Sequence, residues 1–173
     1  VTLDQVFSQV SGQPERSERE GKIVRYFYPE KDFFITCYLR HEDQDFVEHT
    51  EYVSRGKLVR KDFFSYVRYA TEYFAPNNDV ATLYQRSFYN EDGSVAYDML
   101  LEDGQEVLYR FPDRIFYSKA ELVRYFLQSL ELKSDDVVIL DRETGIGQVV
   151  FEESQKAKLG VVVHAEHFSE NAS

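Results

Sequence analysis

Two short segments near the end of the chain carry most of the side chains that could do chemistry. Each follows an apolar run: residues 141–147 come directly after the run 137–140, and residues 164–167 come directly after the run 161–163. Ligands of open parallel sheets bind beyond the carboxyl ends of the strands. If both runs are parallel strands, these segments should open at one edge of the sheet and border a ligand cleft.

The first segment combines a carboxylate with a glycine-rich helix start. Glu143 could bind a substrate hydroxyl, and the backbone N–H groups at Gly145 and Gly147 could receive an anion or a sugar hydroxyl. The alternative is that the glycines only provide a tight turn and close packing of helix on sheet. Val150 occupies the third glycine position of G-x-G-x-x-G, so the dinucleotide fingerprint is incomplete.

The second segment contains His164, Glu166 and His167, which allow three interpretations. A metal site would use all three side chains, but H-x-x-H alone is a weak metal signature. A purely structural role at the end of a strand is the second. We expect the third, in which the histidines contact a substrate in the cleft, and we expect no metal. A nucleophile is not evident, because Cys37 lies in the middle of a predicted strand.

A βαβ unit must position both segments. The runs 137–140 and 160–164 lack apolar–polar alternation, which is typical of strands covered on both faces. A helix is predicted between them at 146–156, and another precedes them at 118–130.

The middle of the chain predicts a large antiparallel meander. From 22 to 117, aromatic and β-branched runs alternate with turns rich in Asn, Asp and Gly. The stretch 57–74 is predicted as strand, with a helix as the alternative for 65–74. A helix at 2–10 and a polar connector at 11–21 come first.

These elements predict an α+β protein in which the meander is inserted into part of a Rossmann-like α/β domain. The predicted boundaries are 1–16 for the helix and connector of the α/β domain, 17–117 for the inserted sheet, and 118–173 for the helix–strand–helix–strand portion.

Composition restricts the partners. The net charge of -11 argues against nucleic acid or an anionic membrane as the main partner. One cysteine and no apolar run of about 20 residues favour the cytoplasm. A local basic cluster could bind a partner or an acceptor polypeptide, or could simply be the solvated face of a strand pair; its members are Arg55, Lys57, Arg60, Lys61 and Arg68.

The segments 138–148, 161–167 and 73–87, together with 90–93, resemble the GtfA family of protein O-GlcNAc transferases. This family belongs to the accessory secretion system of Gram-positive cocci and consists of retaining GT-B enzymes of glycosyltransferase family 4. The resemblance implies transfer of GlcNAc from UDP-GlcNAc to Ser and Thr of serine-rich-repeat adhesins, with no metal or other cofactor. It also implies that the inserted sheet binds the acceptor and a GtfB-like co-activator subunit. The implied location is the cytoplasm, with peripheral contact to the inner face of the membrane through the complex.

The resemblance also implies roles for single residues. His164 would face the donor sugar, and His167 is the poorer match to that position. Parts of the α/β domain would precede Val1, and a second domain with further donor-binding residues would follow Ser173. We therefore expect this chain alone to be inactive. A stand-alone interaction module without catalysis is the alternative, and a metal-dependent hydrolase is a third hypothesis.

Overall fold

A computed structural model describes residues 1–10, 12–141 and 145–162. The chain forms two compact units, Val1–Ile115 and Phe116–Ser173. None of the helices within the described ranges is long and apolar enough to span a membrane.

The first unit is a short helix followed by a meander. The helix α1 spans Leu3–Phe7. The strands in the described part of the chain are β1 (Arg16–Glu20), β2 (Ile23–Tyr28), β3 (Phe33–Leu39), β4 (Val47–Ser54), β5 (Lys57–Phe64), β6 (Arg68–Asn77), β7 (Val80–Tyr89), β8 (Val95–Glu102), β9 (Gln105–Arg110) and β10 (Ile115–Phe116). They form a single sheet in chain order, and the pairs from β1 to β9 are antiparallel. The predicted meander is confirmed.

Two-residue turns set the register of several hairpins. Asn78 and Asp79 both have positive φ, at 49° and 62°, as do Asp103 and Gly104, at 50° and 77°. Positive φ at both central residues gives a turn whose twist matches that of the flanking strands, and Asn, Asp and Gly tolerate this conformation best. The short turns therefore hold each strand beside its neighbour in the chain.

The sheet has one face that carries α1 and one that does not. We call the first the helix face: Leu3 and Val6 of α1 are buried against it, together with Val24, Ile35 and Cys37 of β2 and β3. The opposite side is the outer face. Because paired residues of antiparallel strands point to the same side, register assigns residues to each face.

One prediction for this unit is wrong, and a second is confirmed only in part. The connector predicted at 11–21 contains β1, whose five residues are all exposed. An exposed edge strand needs no apolar alternation, because backbone hydrogen bonds to β2 alone define it. The stretch 57–74 is strand, as predicted in preference to a helix for 65–74, but it forms two strands. A turn in which the Ser65 N–H donates to the Val67 carbonyl separates β5 from β6.

The second unit is built on a parallel strand pair. Its elements are α2 (Lys119–Ser129), β11 (Val137–Asp141), α3 (Gly147–Glu153) and β12 (Lys158–Val162). The strands β11 and β12 pair in parallel, as the predicted βαβ unit requires. Leu127 of α2 and Val149 and Val150 of α3 are buried.

Within the described residues, the two strands are not covered on both faces, contrary to the expectation from the sequence. Val137 and Ile139 of β11 are 61% and 66% exposed, and Val161 of β12 is 57% exposed. These side chains have apolar character but no described element packs on them. A continuous apolar run therefore does not by itself ensure burial; a covering layer is also needed.

Candidate functional site

The carboxyl ends of β11 and β12 lie side by side. Asp141 pairs with Val162 as the last register pair of the two strands, so both strands end at the same edge. Such an edge is where open α/β sheets bind ligands. The predicted substrate residues Glu143, His164 and His167 lie outside the described residues.

Gly145 is the predicted substrate-binding residue that the structure does describe. Its φ is +86°, a conformation that L side chains rarely adopt, and α3 begins two residues later at Gly147. The turn therefore needs a glycine here for conformational reasons. Binding of a substrate hydroxyl by this segment stays a prediction.

The basic cluster is divided rather than gathered into one patch. Arg55 lies in the turn between β4 and β5, and Lys57 forms an ion pair with Asp79 at 3.0 Å. Lys61 points to the outer face, where it lies 3.5 Å from Glu51. Partner or acceptor binding by these residues stays a prediction, but they cannot act as a single surface.

The other two members, Arg60 and Arg68, surround a fully buried carboxylate on the helix face. Arg60 donates two hydrogen bonds to Asp62, at 2.8 and 2.9 Å, and the Arg68 guanidinium lies 3.9 Å from the same side chain. Thr71 donates a third hydrogen bond to Asp62 at 2.7 Å, and Tyr89 donates to Thr71 at 3.0 Å. A buried carboxylate is stable only with such partners, so this cluster is a structural centre of the sheet.

Aromatic rings hold both guanidinium groups in place. The Arg60 guanidinium lies 5.3 Å from the Tyr52 ring centre and 5.9 Å from that of Tyr73, and Arg68 lies 4.2 Å from that of Tyr89. Burial alone lowers the pKa of Arg60, but its bonds to Asp62 more than reverse this, so the pKa is raised. Both cations are therefore engaged internally.

From the cluster around Asp62, a row of polar side chains extends across the sheet to β9. Ser87 donates to Asp98, Gln85 donates to Ser87 at 3.0 Å, and Arg110 donates to Asp98 at 2.8 Å. By register, one transverse row of the helix face contains Thr50, Asp62, Thr71, Ser87, Asp98 and Arg110. The helix face is thus apolar beneath α1 and polar towards β9.

Sequence reasoning did not single out Asp62 or Asp98. The available signal was a carboxylate in the middle of a strand, a position from which Asp is normally depleted. That signal indicates a buried partner but not which residue supplies it, because the partners come from other strands.

The described residues offer little for covalent or metal catalysis. Cys37 is fully buried, and burial raises the pKa of its thiol to about 12, so the thiolate is scarce near neutral pH. No cluster of three His, Cys, Asp or Glu suited to a metal ion occurs in the ranges that the structure covers. The interpretation of His164 and His167 as metal ligands concerns residues outside those ranges.

Comparison with known proteins agrees with the fold. Residues 16–113, which include β1 to β9, match the sequence profile of the GtfA extended beta-sheet domain. The chain belongs to this family, and the resemblance noted from the sequence is confirmed. It is 86% identical over 173 residues to the GtfA subunit of the UDP-N-acetylglucosamine–peptide N-acetylglucosaminyltransferase of Streptococcus gordonii.

Two solved structures share this architecture at high identity. One is a chain of a GtfA/B complex, 87% identical, with a TM-score of 0.87 over the whole of this chain. The other is the pneumococcal O-GlcNAc transferase GtfA in complex with UDP and GlcNAc, 57% identical, with a TM-score of 0.88. This chain spans 34% of each of those chains and 34% of the Streptococcus gordonii protein, about a third of their length.

Proposed function

We propose that this chain is one part of a UDP-GlcNAc–peptide N-acetylglucosaminyltransferase of the GtfA type. In this proposal the second unit belongs to a Rossmann-like domain of a retaining GT-B enzyme, and the first unit is its inserted sheet. GlcNAc passes from UDP-GlcNAc to Ser and Thr hydroxyls of a serine-rich-repeat adhesin, without a metal or other cofactor, in the cytoplasm.

The observation that carries the proposal is that both units occur in one chain, all 173 residues of which align with 34% of a relative named for this activity. The exposed apolar side chains of β11 and β12 are the second support. Strands with such residues normally lie inside a larger sheet with helices on both faces. We propose that further elements of the α/β domain cover Val137, Ile139 and Val161.

In this proposal His164 contacts the sugar donor, which we call the donor-side role. It follows β12 by two residues, and β12 ends beside β11 at the edge where ligands of such sheets bind. We propose that His164 hydrogen-bonds the donor sugar, and that Glu143, Gly145 and His167 contribute to the same cleft.

The sheet has the docking role. We propose that it contacts a GtfB-like co-activator subunit and the acceptor polypeptide. Of the basic cluster, Arg55 and Lys57 are the members best suited to a partner, because they lie at a hairpin end rather than around buried Asp62.

Substitutions in the full-length protein, combined with its co-activator, test this division of roles. His164→Ala is expected to lower kcat for GlcNAc transfer at least ~10-fold, as loss of one hydrogen-bond donor in an active site does. The complex should stay intact on a size-exclusion column. His41→Ala is the matched control, because His41 is exposed in the β3–β4 connection and should leave both properties unchanged.

The second arm substitutes Arg55→Ala and Lys57→Ala together. We expect weaker association with the co-activator and an unchanged kcat once the complex is saturated. A normal kcat in His164→Ala would refute the donor-side role, whereas normal association in the double variant would refute only the docking role. Transfer by the 173-residue chain alone would contradict the proposal that the chain is one part of the catalytic unit.

A further inference from the structure

The outer face carries a row of aromatic side chains that crosses the sheet. Register pairs Tyr38 with His49, His49 with Phe63, and Phe88 with Tyr97. Ala70 lies in register between Phe63 and Phe88, and Phe111 stacks on Tyr97 at its end. We call this set the aromatic row; its members are Tyr38, His49, Phe63, Ala70, Phe88, Tyr97 and Phe111.

The rings of the row stand side by side. Ring centres lie 4.3 Å apart for Tyr38 and His49, 4.7 Å for Phe88 and Tyr97, and 4.9 Å for Tyr97 and Phe111, with interplanar angles of 20° or less. Stacked neighbours therefore cover one another's faces, and the rings are half-buried, so a ligand on this face would meet mainly ring edges. Ring edges carry partial positive charge, so they favour the oxygen atoms of carbonyl and hydroxyl groups.

Ala70 leaves a gap in the aromatic row, and a β-bulge places the ring of Tyr69 beside that gap. Ala70 has no ring, but the preceding Tyr69 is the extra residue of β6 at a register shift, and its ring lies 6.4 Å from that of Phe63. Tyr69 is 47% exposed. It continues the apolar strip at the point where the row would otherwise be interrupted.

Charged side chains lie beside the row, and one of them touches it: the Glu48 carboxylate lies 3.5 Å from the His49 ring. Lys61 lies 3.5 Å from Glu51, and Arg86 lies 2.7 Å from Glu72, all on the outer face. With Glu48 at one end of the row and a net charge of -11 on the chain, this strip disfavours an acidic ligand. Its chemistry suits a neutral ligand with methyl groups and many oxygen atoms.

The dimensions suit a polypeptide strand better than a folded subunit. Strands in a sheet are about 4.8 Å apart, so the row spans roughly 29 Å from β3 to β9, the length of about nine extended residues. Its width is about 7 Å, the distance between alternate residues of a strand, which gives an area of roughly 200 Å². A stable protein–protein interface needs about 800 Å² on each partner.

We propose that the aromatic row binds the acceptor polypeptide as an extended, uncharged, Ser/Thr-rich segment that lies across the strands. The inference rests on the proposed function and adds the face of the sheet and the residues that make the contact. Ring edges contact backbone carbonyls, hydroxyls and methyl groups, which every part of such an acceptor provides. Binding is therefore largely independent of the local acceptor sequence.

Two tyrosines on adjacent strands provide a matched test. Tyr69 belongs to the outer-face strip, whereas the Tyr84 ring packs on Tyr73 of the helix face and is 43% exposed. Tyr69→Ser and Tyr84→Ser, made in the full-length protein with its co-activator, thus remove similarly exposed rings from opposite faces. The probe is a dye-labelled synthetic peptide of about 12 Ser, Thr and Ala residues, followed by fluorescence anisotropy and by GlcNAc transfer.

We expect Tyr69→Ser to raise the Kd and KM of the peptide about 5–10-fold with little change in kcat, as loss of one aromatic contact would. Tyr84→Ser should stay within about 2-fold of the unmodified protein, and Tyr69→Phe should restore binding because the ring is retained. Tyr38→Leu, at the far end of the row, is the second variant if Tyr69→Ser reduces folding, which thermal melting of both variants would reveal.

Three results would overturn the inference. Peptide affinity could be unchanged in both Tyr69→Ser and Tyr38→Leu, or it could fall equally in Tyr84→Ser. Alternatively, Tyr69→Ser could release the co-activator without changing peptide affinity, which would identify the row as a subunit interface. If the unmodified full-length protein transferred no GlcNAc at all, the proposed function itself would fail, and this outcome is distinct from the other three.

Discussion

The charged cluster at Asp62 gives a quantitative prediction for the stability of the sheet. Asp62→Asn keeps the size of the side chain but places an NH₂ donor where Arg60 and Thr71 now find two acceptor oxygens. At least one donor then faces another donor, and Arg60 loses its counter-ion. Breaking a buried ion pair costs about 3–5 kcal/mol. Because the Arg60 side chain is 32% exposed and water can compensate in part, we expect about 2–3 kcal/mol.

The assay is a urea titration of the chain followed by circular dichroism of the sheet, for Asp62→Asn, Arg60→Met and the double variant. If the two residues act as a pair, Arg60→Met should cost at least ~1 kcal/mol less when Asp62 is already Asn. Asp79→Asn is the control, because Asp79 is 96% exposed in its pair with Lys57 and the change should cost under ~0.5 kcal/mol. Additive effects of the two substitutions, or an Asp62→Asn cost no larger than the control, would refute the assignment of Asp62 as a structural centre.

Three further predictions concern pH, a helix cap and a turn. The pKa of Cys37 is raised from 9.0 to about 12, so the folded chain keeps a proton that the unfolded chain loses; stability is complete below pH 9 and falls as pH rises towards 12. Between pH 8 and 10.5 the free energy of unfolding should therefore fall about 2 kcal/mol more for the unmodified chain than for Cys37→Ala, and parallel curves in urea titrations would contradict this. Ser118→Ala removes the acceptor for the Glu121 N–H at the start of α2 and should cost about 1 kcal/mol, with Ser118→Asn as the neutral control; an unchanged urea midpoint for both would exclude a capping role. Gly104→Ala, at φ +77° in open space, should cost about 1–2 kcal/mol through backbone strain alone, and a thermal midpoint equal to that of the unmodified chain would rule this out.

Local signals predicted the elements of this protein well. Asn, Asp and Gly at positions with positive φ marked the hairpins, and Ser118 marked the start of α2. Such features depend on the conformations of a few adjacent residues, so they can be recognised without knowledge of the fold. β1 was missed because an exposed edge strand is defined by backbone pairing with β2, which leaves no mark in its side chains.

The candidate sites, unlike the secondary-structure elements, could not be predicted from local signals. The basic residues from Arg55 to Arg68 form one cluster in the sequence, but strand alternation sends Lys61 to the outer face and Arg60 to the helix face. The aromatic row was likewise not recognised, because its members are separated by 7 to 18 residues in the chain and become neighbours only through register.

Residue patterns along the chain were enough to predict a meander followed by a βαβ unit, with turns short enough to place successive strands side by side. The folded chain was needed to show which charges pair around Asp62, which rings share the outer face, and that the β11–β12 pair leaves an apolar surface exposed. The physical reason is that turns and helix caps are set by local conformational energies. Ion pairs, stacked rings and burial depend instead on contacts between strands that are distant in sequence, and a shift of one residue in register would move each side chain to the other face.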